Sequence, residues 1–514
     1  VSEQRDEATA PPSGPPVAER RPHRIVAHGD VRVDDWYWLR DRDDPAVMEL
    51  LEQENAWTEA STAHLEPLAD AVYDEILAHV QLTDVTYPSP KGDFAYYART
   101  VEGLDHSILC RRPRSAPLPR AEEMPRPSSD GDGRLDAHEQ VILDENLLAE
   151  GHAYFEVGDN ALSPDQRLLA YTSDVTGAER MTLRIRQLTS GRDLDDVVDD
   201  VYYGLAFSAD GGTVFYTRPD ETMRPYQVWR HRLGTPQSSD VKVLEEEDDR
   251  FFVTVRPSKD ESLIFLPIWS DVTSEIRYLP ADAPESEPIL IEERRQGVEY
   301  TVRAHRDELL ILSNEDAVNF AIYRTSLSSP ARPNWQLLFA ERSDVLLEHV
   351  DVIAGHVLVS ERGHATTSIR VLPLVGGRET VIEAPQAGHV SLAANLEFET
   401  SSVRYTTTSL VEPPTLYELD LSSGESTELW RQPVPGYDRS KYRTERRWAT
   451  SPDGTRVPVT LAWREDRPAG PGSAVLYGYG AYGISSDPVF RVARPITPLL
   501  DRGVLYAIAH VRGG

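Results

Sequence analysis

A run of tyrosines and glycines, Tyr477-Gly478-Tyr479-Gly480-Ala481-Tyr482-Gly483, stands near the end of the chain. It is followed by Asp487 and then by His510-Val511-Arg512-Gly513-Gly514. Hydroxyl, carboxylate and imidazole groups in one segment are materials of hydrolytic chemistry, which needs a nucleophile, a base and donors for a developing oxyanion. The nucleophile turn of an α/β-hydrolase, Gly-x-Ser-x-Gly, occurs nowhere in the 514 residues. The nearest segment, Gly483-Ile484-Ser485-Ser486-Asp487, lacks the second glycine. His510 precedes any position where such a nucleophile would fall, the wrong order for that fold, and reads as a histidine at a strand end. The glycines at 478, 480 and 483 lack the pattern of a phosphate loop, and no Cys/His or acidic cluster has metal-ligand spacing. No cofactor and no metal are expected.

The elements around this segment can be read from its apolar runs. Ala474-Val475-Leu476-Tyr477 enters the glycine turn, Pro498 to Arg502 reads as a short helical piece, and Val504 to Ala509 reads as a strand buried on both faces. Upstream, Tyr442 to Thr450 and Val457 to Trp463 read as strands joined by the turn Ser451-Pro452-Asp453-Gly454. Strand, glycine loop, helix, strand is the opening of an α/β domain, here residues 434–514.

Before it lies a weak repeat of a turn followed by an apolar strand. Lys91-Gly92-Asp93, Ser163-Pro164-Asp165, Ser208-Ala209-Asp210-Gly211, Pro257-Ser258-Lys259-Asp260, Arg306-Asp307, Gly355 and Ser401-Ser402 each precede such a run. Most anchors follow at an interval of roughly 45–50 residues, within the range of propeller repeats. The first gap is longer and holds a Pro/Ser/Gly/Asp-rich insertion, Pro113 to Asp136. The spacing predicts a seven-bladed β-propeller over residues 85–433, in preference to an irregular all-β domain.

At the other end, residues 1–22 are rich in Pro, Ser and Glu and read as a disordered tail. Residues 23–84 carry the aromatic knot Trp36-Tyr37-Trp38 and two helical patterns. One has Val47, Leu50, Leu51 and Trp57 on a face, the other Leu68, Val72, Ile76, Leu77 and Val80; both stripes are expected to pack as ordinary core. The net charge of −32 leaves poor prospects for a basic nucleic-acid face. Its default meaning is solubility, and its sharper one the steering of cationic substrates. No apolar stretch has membrane-spanning length, and no secretory signal is evident. Cys110 is the single cysteine, which suits a reducing, cytoplasmic compartment.

The glycine–tyrosine turn with Asp487, Leu499-Leu500-Asp501-Arg502-Gly503 and His510 to Gly514 resembles the start of the catalytic domain of the prolyl oligopeptidase family, oligopeptidase B most closely. His28 to Arg40, Glu52 to Ala56, Glu150 to Phe155 and Arg224 to His231 resemble the same group, in the same order along the chain. The resemblance implies a serine peptidase in which a propeller covers an α/β-hydrolase domain built from both chain termini. It implies short peptides cut after Arg or Lys, and a catalytic serine beyond Gly514, so that this chain alone is inactive. It makes the Tyr479 hydroxyl an oxyanion donor, while Tyr477 and Tyr482 read as packed aromatics. It makes Asp487 a contact for a basic substrate residue, with Val489 where a second acid often stands; a plain loop aspartate is the competing reading. A proline-specific peptidase and a non-catalytic propeller binding module are the alternatives. The oligomeric state is left open.

Overall fold

A computed structural model describes residues 14–119, 136–468 and 470–513. The tail as far as residue 13 and most of the insertion after Pro113 lie outside them. The chain divides into two compact units, residues 1–79 and 80–514.

In the first unit a hairpin pairs His23–Ala27 with Asp30–Asp34, and its turn places His28 and Gly29 at positive φ. Two helices follow, α1 (Pro45–Thr62) and α2 (Glu66–Leu77). Asp44 caps α1 by accepting from the Ala46 N–H at 2.9 Å, and Pro45 takes the first turn, where its missing N–H costs nothing. Each ring of the aromatic knot faces a guanidinium: Arg20 over Trp36, Arg40 over Tyr37 and Arg21 over Trp38. The two apolar stripes are not core. Val47 is the one buried residue of α1 and α2 has none, so the stripes otherwise stay half-buried or exposed among the described residues.

The second unit opens with seven successive antiparallel sheets of four or five strands each, spanning 84–144, 156–201, 205–245, 252–292, 300–339, 346–383 and 388–431. Every turn anchor read from the sequence falls at the junction of two antiparallel strands paired within one sheet. Three of them are the same device. Ser163, Ser208 and Ser258 each donate a hydroxyl to the carboxylate two residues on, at 2.6 Å, and accept a backbone N–H five residues on, at 2.9–3.0 Å. The left-handed position of this turn holds Gln166, Gly211 or Glu261, so the hydroxyl–carboxylate pair specifies the turn and glycine is optional.

The sheets are held by their faces. Alternate residues of a strand point to opposite sides, and here both sides are dry. Ile264 and Leu266 pack with Phe215 and Val228 of the preceding sheet, while Leu263 and Phe265 pack with Leu309 and Ile311 of the following one. Leu310 and Leu312 turn the other way, to Val357 and Val359. This is why Leu309-Leu310-Ile311-Leu312 reads as a continuous apolar run without alternation. Six such clusters join consecutive sheets. Between the seventh and first sheets, no such cluster is found among the described residues. Arg404 instead donates to the Pro88 carbonyl at 2.8 Å and stacks over Tyr87, and Arg114 pairs with Glu397 at 2.7 Å. Side chains also meet across the middle: Lys91 of the first sheet reaches Glu261 of the fourth, and Lys259 of the fourth reaches Asp351 of the sixth.

A last, mixed sheet closes the chain in the order 442–450, 456–464, 505–509, 474–478. The first two pairings are antiparallel, and Ala474–Gly478 runs parallel to Leu505–Ala509. The crossover contains helical turns at Val492–Ile496 and Leu500–Arg502. Tyr506, Ala507 and Ile508 are buried, as the apolar run implies, whereas Val475 and Leu476 are exposed.

Ser208→Ala removes the donor to Asp210 and leaves the Thr213 N–H without its acceptor. A loss of about 1–3 kcal/mol is expected from urea unfolding of this chain. Unchanged stability would mean that the turn needs no hydroxyl.

Candidate active site

The parallel register pairs Gly478 with Ala509, so both strands end at the same edge and their following turns meet there. The carboxyl ends of parallel strands are where α/β sheets place their ligands. The two turns touch backbone to backbone. A Cβ on Gly480 would lie 2.4 Å from the Arg512 carbonyl oxygen, and one on Gly513 would lie 2.3 Å from the Gly480 oxygen. Gly513 also has φ +88°, and its carbonyl accepts from the Gly483 N–H at 3.0 Å. Only glycine fits either position.

This contact fixes the base of Tyr479, whose side chain lines a cavity of about 250 Å³ with Ser485, Ser486, His510, Arg362 and Trp448. The Tyr479 ring is partly exposed, and its hydroxyl makes no hydrogen bond among the described residues. Tyr477 packs against the apolar cluster under the sheet, as its place in the strand implies. Tyr482 does not pack. It sits at φ 58° with 88% of its surface exposed, because the left-handed backbone between Ala481 and Gly483 turns its side chain away.

His510 lies in the same cavity with Nε2 2.7 Å from the Thr460 hydroxyl. Burial, with Arg446 nearby, pushes its pKa down to about 4, so the imidazole is neutral at pH 7. It is a strand-end histidine locked to its neighbour.

Asp487 lines an adjoining cavity of about 320 Å³ that shares Ser485 and Ser486 with the first. Its carboxylate is already engaged. Arg362 grips it with both terminal nitrogens, at 2.6 and 3.0 Å, and His389 Nδ1 stands 3.4 Å away. Burial alone would raise this carboxyl, but the His389 and Arg362 hydrogen bonds hold it well below the usual carboxylate range. Arg362 also pairs with Glu348. Arg446, from the strand Tyr442–Thr450, donates to the Ala365 carbonyl at 2.9 Å and keeps two buried nitrogens without partners.

The structure therefore brings Tyr479 and His510 into one cavity and sets Asp487 beside it, with Arg362 bordering the first cavity and holding Asp487. Arg362 and His389, from the sixth and seventh sheets, had no sequence signal. They lie about a hundred residues or more before the glycine turn, in strands whose local pattern only reports alternation. Among the described residues no group of three or more His, Cys, Asp or Glu is arranged to hold a metal ion, and no helix is long and apolar enough to cross a membrane.

The family described as "Prolyl oligopeptidase, N-terminal beta-propeller domain" matches residues 15–432. Dipeptidyl aminopeptidase BI of Pseudoxanthomonas mexicana is 40% identical over 99% of this chain and 70% of its own length. Protease 2 of Moraxella lacunata is 35% identical over 97% of this chain and 70% of its own length. Among solved structures, oligopeptidase B from Leishmania major superposes with a TM-score of 0.87 at 30% identity, over 98% of this chain and 72% of that one. A β-propeller followed by a glycine–tyrosine turn at the carboxyl edge of a mixed sheet, with these relatives across nearly the whole chain, identifies it as a member of the prolyl oligopeptidase family of serine peptidases.

Proposed function

We propose that this chain carries the propeller and the oxyanion-binding edge of a serine oligopeptidase that cuts short peptides after Arg or Lys. The observation that carries the reading is Tyr479. Its backbone is clamped by the Gly480–Gly513 contact, its side chain lines the cavity, and its hydroxyl is uncommitted. A phenol held in this way is a ready donor to an oxyanion and costs no reorganisation as charge develops. In this reading the serine, the acid and the base come from residues outside these 514, and the chain alone does not turn over peptides.

The seven sheets act as seven blades of a closed ring. The cross-ring pairs Lys91–Glu261 and Lys259–Asp351 and the Arg404 and Arg114 contacts between the first and seventh sheets support closure. The mixed sheet is the beginning of an α/β-hydrolase domain to which the N-terminal segment also belongs. The uncovered apolar faces of α1 and α2 support that assignment. A ring of this kind limits access to short, flexible peptides.

Basic specificity rests on the family resemblance and on Asp487. Because Arg362 already satisfies that carboxylate, a substrate cation gains only what it can take from Arg362, and the contribution is small. A second reading, removal of dipeptides from a free amino terminus, is favoured by the name of the 40% identical relative. N-acetylated and free peptides of one sequence separate the two: cleavage of both supports the endopeptidase, and cleavage of the free peptide alone supports the dipeptidyl aminopeptidase.

In the completed enzyme Tyr479→Phe lowers kcat by about 10²–10³ with little change in KM. An unchanged kcat would return Tyr479 to a packing role. Asp487→Asn lowers kcat/KM for an Arg-Arg substrate more than for an Ala-Arg one, by roughly tenfold or less, and less still at high salt. Equal losses would exclude it from reading the second basic residue. The same substitution reports on stability. A carboxyl whose pKa is depressed by folding stabilises above its unfolded pKa, and that contribution fades as pH falls through the folded value. The wild type is therefore more stable than Asp487→Asn by about 1.5–3 kcal/mol near neutral pH, and the gap narrows below about pH 4. Urea titrations across this range would show it.

A further inference from the structure

The ring interior contains a second cluster that the peptidase chemistry does not use. A cavity of about 300 Å³ is lined by Arg256 and Lys259 from the fourth sheet, Arg303 from the first strand of the fifth, Asp351 from the first strand of the sixth, and Lys91 from the first sheet. Glu261 lines it as well, so four of its six ionisable side chains are cationic, in a protein whose net charge is −32.

The two lysines are accounted for, since Lys259 pairs with Asp351 and Lys91 with Glu261. The two arginines are not. Arg303 donates one nitrogen to the Val302 carbonyl at 2.9 Å, and a second lies 3.2 Å from His349 Nε2. The Arg256 side chain makes no hydrogen bond or ion pair among the described residues. Neither guanidinium has a carboxylate within ion-pair distance, and the two oppose each other electrostatically. Burial, with Arg303 second, pushes Arg256 down to about 10, and burial followed by the Arg303 charge pushes His349 down to about 4. His349 is thus neutral at pH 7 and leaves an acceptor free for Arg303.

Two like charges held together and largely buried cost stability. A protein with an excess of acids could have neutralised them with one substitution. Their forks are instead open to the cavity, and a guanidinium fork matches the oxygens of a carboxylate or phosphate. We infer that Arg256 and Arg303, with Lys259 at their side, form a binding site inside the ring for an oxyanion, the phosphate or carboxylate group of a small molecule or peptide end.

The test is titration calorimetry on the full 514-residue chain in 0.15 M chloride. The probes are inorganic phosphate, and one short neutral peptide prepared with a free C-terminal carboxylate and as its amide. The site predicts saturable binding of phosphate, of the free-acid peptide, or of both, and none of the amide. Arg256→Gln and Arg303→Gln should each weaken that binding at least about tenfold, the effect of losing one charge-assisted hydrogen bond. Arg250→Gln, which removes an exposed charge paired with Asp248, should not weaken it. Because Arg256 has no side-chain hydrogen bond or ion pair to lose among the described residues, and Arg303 opposes it, Arg256→Gln should melt no lower than the wild type in chloride, which separates lost binding from lost fold. Phosphate binding alone identifies a phosphate source, and binding of the free acid alone identifies a peptide end. Absence of binding to both phosphate and the free-acid peptide, or binding undiminished in both arginine variants, would overturn the inference.

Discussion

In the second to sixth sheets, the strands Leu168–Asp174, Thr213–Pro219, Leu263–Trp269, Glu308–Ser313 and His356–Gly363 bury both of their faces, and almost everything else about the second unit follows from that. A four-stranded antiparallel sheet with two apolar faces cannot be stable alone, because each face needs a neighbour. Ile264 and Leu266 look back, Leu263 and Phe265 look forward, and the next sheet repeats the arrangement with Leu309 and Leu310. The sheets must therefore stack in chain order. The seventh meets the first through Arg404, Tyr87, Arg114 and Glu397, groups that tolerate water, so the contact between the ends of the stack differs in kind from the other six.

The same stacking decides where charge can go. Faces are apolar, so ionisable groups are driven to the sheet edges and to the strand ends nearest the middle. There side chains from distant parts of the sequence meet. Lys91 finds Glu261 and Lys259 finds Asp351, while Arg256 and Arg303 are left facing each other. At strand ends of the sixth and seventh sheets, Arg362 and His389 meet Asp487. That cluster joins the sheet stack to the segment carrying the glycine–tyrosine turn.

Much of this was legible in the sequence, for identifiable reasons. The turn anchors could be read because a turn is a local event: Ser163-Pro164-Asp165 and Ser208-Ala209-Asp210 contain the hydroxyl, the carboxylate and the backbone they bind within six residues. The mixed sheet could be read because Val504 to Ala509 is apolar throughout. Tyr479 could be singled out from its glycine neighbours and the family resemblance, although the sequence did not say why Gly480 has to be glycine. The partners of Asp487 could not be read, since Arg362 is set beside it by the stacking order of sheets and by no local pattern. The stripes fall on α1 and α2 apart from Val80, which lies beyond α2, and they do not pack as core, since periodicity reports only that a face is apolar and not what covers it.

The contact between Gly480 and Gly513 has one more consequence. Side chains normally separate two adjoining turns, and their rotamers take up small errors in spacing. Here two bare backbones meet, and the distance between the tyrosine turn and the end of the neighbouring strand is set by the radii of peptide atoms alone. The cavity edge is thus gauged by the least adjustable part of a protein. A side chain at either glycine would push the two turns apart, so neither position accepts one while the other turn stays in place.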